Sequence, residues 1–234
     1  KNEDMPLVKL IRLLNEVEGI TRIRLGSLEP RIVTGEFAKA IAKTKVCPHF
    51  HLSLQSGCDA TLKRMNRRYD TAGYRESIKI LREYFDRPAI TTDVIVGFPG
   101  ETQEEFEITR EFLKKVHFYE MHVFKYSKRA GTRAAVMPDQ VPEQVKGRRS
   151  DVLLELEASM SREYREHFIG SSVWVLFEDM AEVEGRKYII GHTPQYVKAA
   201  LAVKDGEENR LSGQILCLKA AGLLGGDLLE VGWQ

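Results

Sequence analysis

The chain has 234 residues, enough for one large domain or a medium domain with a small one. Hydrophobic residues make up 43% and charged residues 29%, and 35 Lys and Arg stand against 34 Asp and Glu, which excludes a polybasic tail and an acidic disordered chain. No apolar run approaches the ~20 residues of a membrane span, no charged-then-apolar N-terminus reads as a secretion signal, and three cysteines (Cys47, Cys58, Cys217) make no disulfide framework, so a reducing, cytoplasmic setting is expected.

Residues 4–17 read as a helix, with Asp4 as cap, Pro6 in the first turn, Leu7, Leu10, Leu14 and Val17 at helical spacing, and Gly19 as stop. A strand is predicted over 21–27, a helix over 36–43 capped by Thr34, and a strand over 50–55. Helices follow over 60–65 and 71–85, then the clearest strand, 89–96, a helix over 102–116 and a strand over 119–126. Strands alternating with amphipathic helices predict βα units and a parallel sheet. Four strands cannot close a βα barrel, so the pattern predicts either the later part of one or a small open sheet; the helix at residue 4 favours the former. Pro142 opens a long helix with an apolar stripe of Val145, Val152, Leu156, Met160, Tyr164 and Phe168, ended by Gly170. From there, β-like segments at 172–177, 188–191, 196–203, 213–219 and 227–231 predict a small five-stranded barrel. The expected organisation is therefore a partial barrel with its long helix, 1–170, followed by an all-β barrel, 171–234.

Strand alternation places His51, Ser53 and Gln55 opposite Phe50, Leu52 and Leu54, Asp93 beside Thr91, and Arg22 and Arg24 opposite Ile23 and Leu25. Three polar stripes predict a wet cavity lined by strands, or a solvent-facing sheet. The turn Gly97-Phe98-Pro99-Gly100 at a strand's C-terminal end suits close approach of a ligand to backbone. The basic run 63–68 can fork a carboxylate or phosphate through an Arg, or form a solvated helix face. His49 and His51 could ligate a metal but show no third ligand; a buried, hydrogen-bonded histidine is the competing reading. Cys47 and Cys58 read as packed thiols.

The runs RIRLGSLEP (22–30), CPHFHLSLQSGCDATLKRMNRRY (47–69), TTDVIVGFPGETQEEFE (91–107) and HVFKYSKRAGTRAAVMPDQVPEQVKGRRS (122–150) closely resemble the methylthiotransferase family of radical S-adenosylmethionine enzymes. The likeness is greatest to the MtaB branch, which acts on threonylcarbamoyladenosine in tRNA; residues 171–234 resemble the TRAM domain that these enzymes carry. The resemblance implies insertion of sulfur and then a methyl group at C2 of the modified adenosine 37, next to the anticodon. It implies a partial parallel barrel with S-adenosylmethionine across the strand ends. By matched position, Gln55 and Asp93 would hold its ribose and Arg67 its carboxylate. Ile95 and the backbone of Val96 and Gly97 would meet adenine, and Glu29 would lie near the methionine moiety. The family's 4Fe-4S clusters need a CxxxCxxC motif and three further cysteines. This chain has three cysteines, 11 and 159 residues apart, so those ligands would belong to the intact protein only.

Residues 171–234 carry six Lys and Arg against nine Asp and Glu, a net of −3, whereas an RNA-binding module is usually basic. The expected partner remains the tRNA anticodon arm, met by His192, Tyr196 and Lys198 on the small barrel and by Lys125 and Arg129 before it. The alternative for Tyr196 is a place in the barrel core. Competing functional readings are methylthiolation of isopentenyladenosine tRNA or of a basic ribosomal protein, and a non-catalytic RNA-binding module. The sulfur donor is not legible in the sequence.

Overall fold

A computed structural model of the chain describes residues 5–204 and 208–233, the side chains of residues 208 and 209 excepted. Asp4, Asp205 and Glu207 lie outside the described residues. The chain divides into two compact units, Lys1–Met160 and Ser161–Gln234.

In the first unit, α1 (Pro6–Asn15) starts on proline, whose missing N–H needs no partner there, and buries Val8 and Ile11. α2 (Gly35–Ile41) is capped by Thr34, whose hydroxyl accepts from Phe37 N–H. α3 (Asp59–Arg64), α4 (Thr71–Tyr84) and α5 (Gln103–Val116) follow, α5 opening on a reciprocal Thr102–Glu105 capping box. Strands β1 (Ser27–Leu28), β2 (His49–Leu52), β3 (Ala89–Val96) and β4 (Glu120–Lys125) form one parallel sheet in sequence order. The sheet's outer face carries Phe50, Leu52, Val94 and Val96, all buried in a core with Phe37, Tyr74, Leu81 and Leu113 from the helices.

Two strand expectations need correction. The strand read at 21–27 is only β1 plus a single bridge from Ile23 to Val46, with Arg24 and Gly26 exposed. The strand read at 50–55 ends at Leu52, because Gln55 takes a left-handed backbone (φ 70°) and then bridges Val94.

The long helix α6 (Glu143–Glu166) spans the division between the units. Its buried side includes Leu153 and Met160, with Val152 and Leu156 partly buried against the same core. The sequence reading put the boundary at Gly170. The division falls earlier, and the last turn of α6 already engages the second unit's own residues: Arg165 Nη1 lies 3.7 Å from Asp227 Oδ1.

The second unit is a closed five-stranded barrel of β5 (Ser172–Val183), β6 (Arg186–His192), β7 (Lys198–Ala202), β8 (Ile215–Leu224) and β9 (Leu228–Gly232), in the order β5-β6-β7-β9-β8. Closure leaves no free sheet edge. Val173, Val175, Phe177, Ala199, Leu201, Leu218, Leu229 and Val231 alternate into its core. At Gly191 a Cβ would stand 2.1 Å from the Leu176 carbonyl oxygen, beside the register shift between Phe177 and Asp179. Glycine lets the two strands close tightly at that corner.

Candidate functional site

Register partners in a parallel sheet share a face, so the pairings define the rows of the inner surface. Ser27, His51, Thr91 and Glu120 form one row, Asp93 and His122 the next, and Ile95 and Phe124 the one nearest the strand C-termini. The predicted polar stripe is therefore real for His51, Ser53, Thr91 and Asp93, and β4 adds His122, which the sequence reading did not single out.

Asp93 is held from one side. Its Oδ2 accepts from Ser53 Oγ at 3.3 Å and lies 3.2 Å from His51 Nε2, while His51 Nδ1 lies 3.0 Å from Thr91 Oγ1. The His51 and His122 ring centroids are 6.0 Å apart.

Two clefts open at the strand ends. One, of about 390 Å³, is lined by residues that include Glu29, Ser53, Asn66, Arg67 and Tyr69. Tyr69 donates its hydroxyl to the Ser53 carbonyl at 2.9 Å, fixing the cleft wall to the end of β2. Glu29 Oε1 accepts from Arg31 at 2.7 Å. Arg67 is exposed at the rim, whereas Arg64 of the same basic run forks onto Glu105 and ties α3 to α5.

The second cleft, of about 550 Å³, has an apolar lining of Ile95, Phe98, Phe124 and Tyr126, with Lys125 and Arg129 among its lining residues. Phe98 and Tyr126 meet edge to face at 5.3 Å. The Tyr126 phenol oxygen is buried with no hydrogen-bond partner among the described residues, which fits a cleft that receives a polar atom from a ligand.

The glycine turn has a further structural reason. Gly97 has φ 71°, and a Cβ there would lie 2.4 Å from Lys146 Cγ. Its N–H donates to Glu101 Oε2 at 2.6 Å, and the Val96 carbonyl accepts Tyr126 N–H at 2.9 Å. The backbone groups expected to face a ligand are thus already engaged within the chain. Glu101 also accepts from Arg149 at 2.7 Å, with both side chains buried, and Lys146 Nζ donates to the Tyr126 carbonyl at 2.9 Å. Burial pushes the Glu101 carboxyl up, opposed by the Gly97 N–H and Arg149. The sequence reading missed this lock; the only signal was the pair of basic residues on the stripe side of α6.

Gln55 does not continue the face of His51 and Ser53. It is buried and pairs with Val94, because its left-handed backbone shifts the register by one residue. His49 is also buried, and burial, followed by the charges of Arg24 and His51, lowers its pKa to about 4. Cys47 precedes β2, Cys58 caps α3 beyond the other end of that strand, and Cys217 lies on β8 of the second unit. The residues present do not fit an iron–sulfur cluster.

On the barrel, His192 and Tyr196 stack with centroids 4.2 Å apart and planes 11° from parallel. His192 Nδ1 lies 2.6 Å from Glu178 Oε2, and Lys198 is the register partner of His192. Tyr196 is 37% exposed with φ 64°, held by its N–H to the Thr193 carbonyl at 2.9 Å, so it is not a core residue.

Residues 3–113 match the Radical SAM superfamily. A tRNA-2-methylthio-N(6)-dimethylallyladenosine synthase from Thermoanaerobacter pseudethanolicus is 43% identical over 80% of this chain and 40% of its own length. The threonylcarbamoyladenosine tRNA methylthiotransferase MtaB of Bacillus subtilis is 38% identical over 93% of this chain and 49% of its own length. Among solved structures, coproporphyrinogen III oxidase from Escherichia coli, described as a radical SAM enzyme, shares the fold with a TM-score of 0.52 at 20% identity, over 67% of this chain and 36% of that one. The chain is thus similar to radical SAM methylthiotransferases over 80% or more of its length. It spans less than half the length of the two curated relatives described.

Proposed function

We propose that this chain forms the later barrel strands and a TRAM domain of a cytoplasmic tRNA methylthiotransferase that modifies N6-threonylcarbamoyladenosine 37. The observation that carries the reading is the pair of clefts at the strand ends, one lined by Ser53, whose hydroxyl donates to Asp93, and the other by Ile95 of the same strand as Asp93, in a chain similar to these enzymes. S-adenosylmethionine, when bound, supplies the radical-generating and methyl-donating chemistry. Arg67 at the rim of the first cleft would fork the cofactor carboxylate, and Glu29 would lie near its amino group. Asp93, fixed through Oδ2, would accept from the ribose hydroxyls. Ile95, with Phe98 and Phe124, would wall the adenine, and Tyr126 would offer its hydroxyl to a ring nitrogen. Val96 and Gly97 frame that wall through their bonds to Tyr126 and Glu101. Gln55 would take part only by reaching round from its shifted register.

The 4Fe-4S ligands would come from outside these residues. Lys125 and Arg129, beside the second cleft, would meet tRNA phosphates, and the His192–Tyr196 stack would receive an unpaired base of the anticodon arm beside Lys198. The threonylcarbamoyl substrate is preferred because the MtaB relative aligns with 93% of the chain, against 80% for the dimethylallyladenosine synthase described above.

Equilibrium dialysis of S-adenosylmethionine against the chain tests the cofactor site. Asp93→Ala should weaken binding by roughly 1–3 kcal/mol, and unchanged affinity would remove Asp93 from it. Nucleoside mass spectrometry of tRNA from cells lacking the gene tests the substrate. Loss of the methylthio group from threonylcarbamoyladenosine supports the reading; its loss from dimethylallyladenosine alone would transfer the protein to the other substrate.

A further inference from the structure

We propose that His51, Asp93 and His122 form a binding site for a divalent transition-metal ion of the zinc, iron(II) or cobalt(II) type. One ligand atom from each lies within 4.8 Å of the other two. The three residues stand on adjacent strands β2, β3 and β4, with Asp93 and His122 in register, so the backbone ladder fixes their spacing. The 3.2 Å between His51 Nε2 and Asp93 Oδ2 is close to the edge of a tetrahedron around an ion with bonds of about 2.0–2.1 Å.

The surroundings prepare His51 for such a role. Thr91 Oγ1, 3.0 Å from His51 Nδ1, can accept a hydrogen bond from Nδ1–H, which holds the proton on Nδ1 and leaves the Nε2 lone pair for the ion. Metal-bound imidazoles are commonly fixed by a hydrogen bond of this kind. Ser53 Oγ, donating to Asp93 Oδ2 at 3.3 Å, orients the carboxylate in the same way. Two imidazoles and one carboxylate suit a borderline transition metal, whereas magnesium and calcium call for more oxygen ligands. His122 is exposed and His51 and Asp93 are only half-buried, so the fourth position opens to solvent and admits water or a small anion. The site uses the carboxylate that the cofactor reading gives to the ribose, but it does not depend on that reading, since the ion is taken up with no cofactor added.

Titrate the reduced 234-residue chain with Co²⁺ and follow the visible d–d bands, then displace with Zn²⁺. A single equivalent should bind with nitrogen and oxygen ligation. Asp93→Asn and His122→Ala should each weaken it roughly tenfold or more, and Thr91→Val should weaken it about tenfold with the ligands intact. His122 is exposed, so its replacement should leave the thermal midpoint unchanged, and His122→Gln repeats the measurement with a polar side chain. Absence of d–d bands, affinity unchanged in both His122 variants, or a sulfur-to-cobalt charge-transfer band marking binding at the cysteines would each overturn the proposal.

Discussion

His49 is 4% exposed at the start of β2, and burial, with the nearby charges of Arg24 and His51, brings its pKa down to about 4. An unfolded imidazole titrates near ~6.5. Between these values the unfolded chain binds a proton that the folded chain does not. The contribution is therefore complete above the unfolded value and is lost as pH falls from 6.5 toward 4, amounting to about 3 kcal/mol in all. Urea midpoints measured across that window should fall steeply in the native chain and less so in His49→Gln. Parallel slopes would remove His49 from the acid limb. At this scale, alternation in 49–55 and 89–96 was enough to put His51, Ser53 and Asp93 on one polar face. It was not enough for His122, because only the sheet order reveals that β4 runs beside β3. Nor was it enough for Gln55, whose left-handed backbone interrupts the period of two on which the reading rests.

At the scale of elements, the buried Glu101–Arg149 pair and the seat of Lys146 on Gly97 couple α6 to the end of β3. Glu101→Gln would leave Arg149 buried without its charged partner, a change that typically destabilises by ~3–5 kcal/mol. Glu101→Leu with Arg149→Met should recover much of that loss, since two apolar groups leave no orphaned charge. Denaturant titration of the single and double variants decides; a single variant as stable as the native chain would show that the pair does not hold α6. Gly97→Ala should destabilise by roughly 1–3 kcal/mol, because the residue combines positive φ with a Cβ position already taken by Lys146. Helices were legible because caps and apolar spacing are local: Thr34 and Thr102 mark their N-termini in the sequence as in the structure. The α6 lock was not, since a buried Lys or Arg cannot be told from an exposed one by helical spacing alone. The strand at 21–27 was overread because Ile23 and Leu25 alternate in burial without gaining a continuous ladder.

At the scale of the whole molecule, charge sets what RNA binding can look like. Residues 171–234 have a net charge of −3, so the small barrel cannot hold tRNA by a broad cationic surface. Its candidate contact is the His192–Tyr196 stack with Lys198 beside it, while Lys125 and Arg129 stand in the first unit. Phosphate contacts give log affinity a slope against log salt of about −0.9 per contact for duplex nucleic acid and less for single strands. With Lys125, Arg129 and Lys198 as the candidate phosphate contacts, the whole chain binding an anticodon stem-loop should show a slope on the order of two to four contacts. Lys125→Ala with Arg129→Ala should make the slope shallower by about 1–2. Tyr196→Ala should instead weaken binding by roughly 1–3 kcal/mol at every salt concentration, because stacking displaces no counterions. The two effects separate electrostatic positioning from base contact within one salt series. A Tyr196 variant that binds as tightly as the native chain, together with tighter binding of a basic ribosomal-protein peptide than of the stem-loop, would replace RNA by protein as the partner of the acidic barrel.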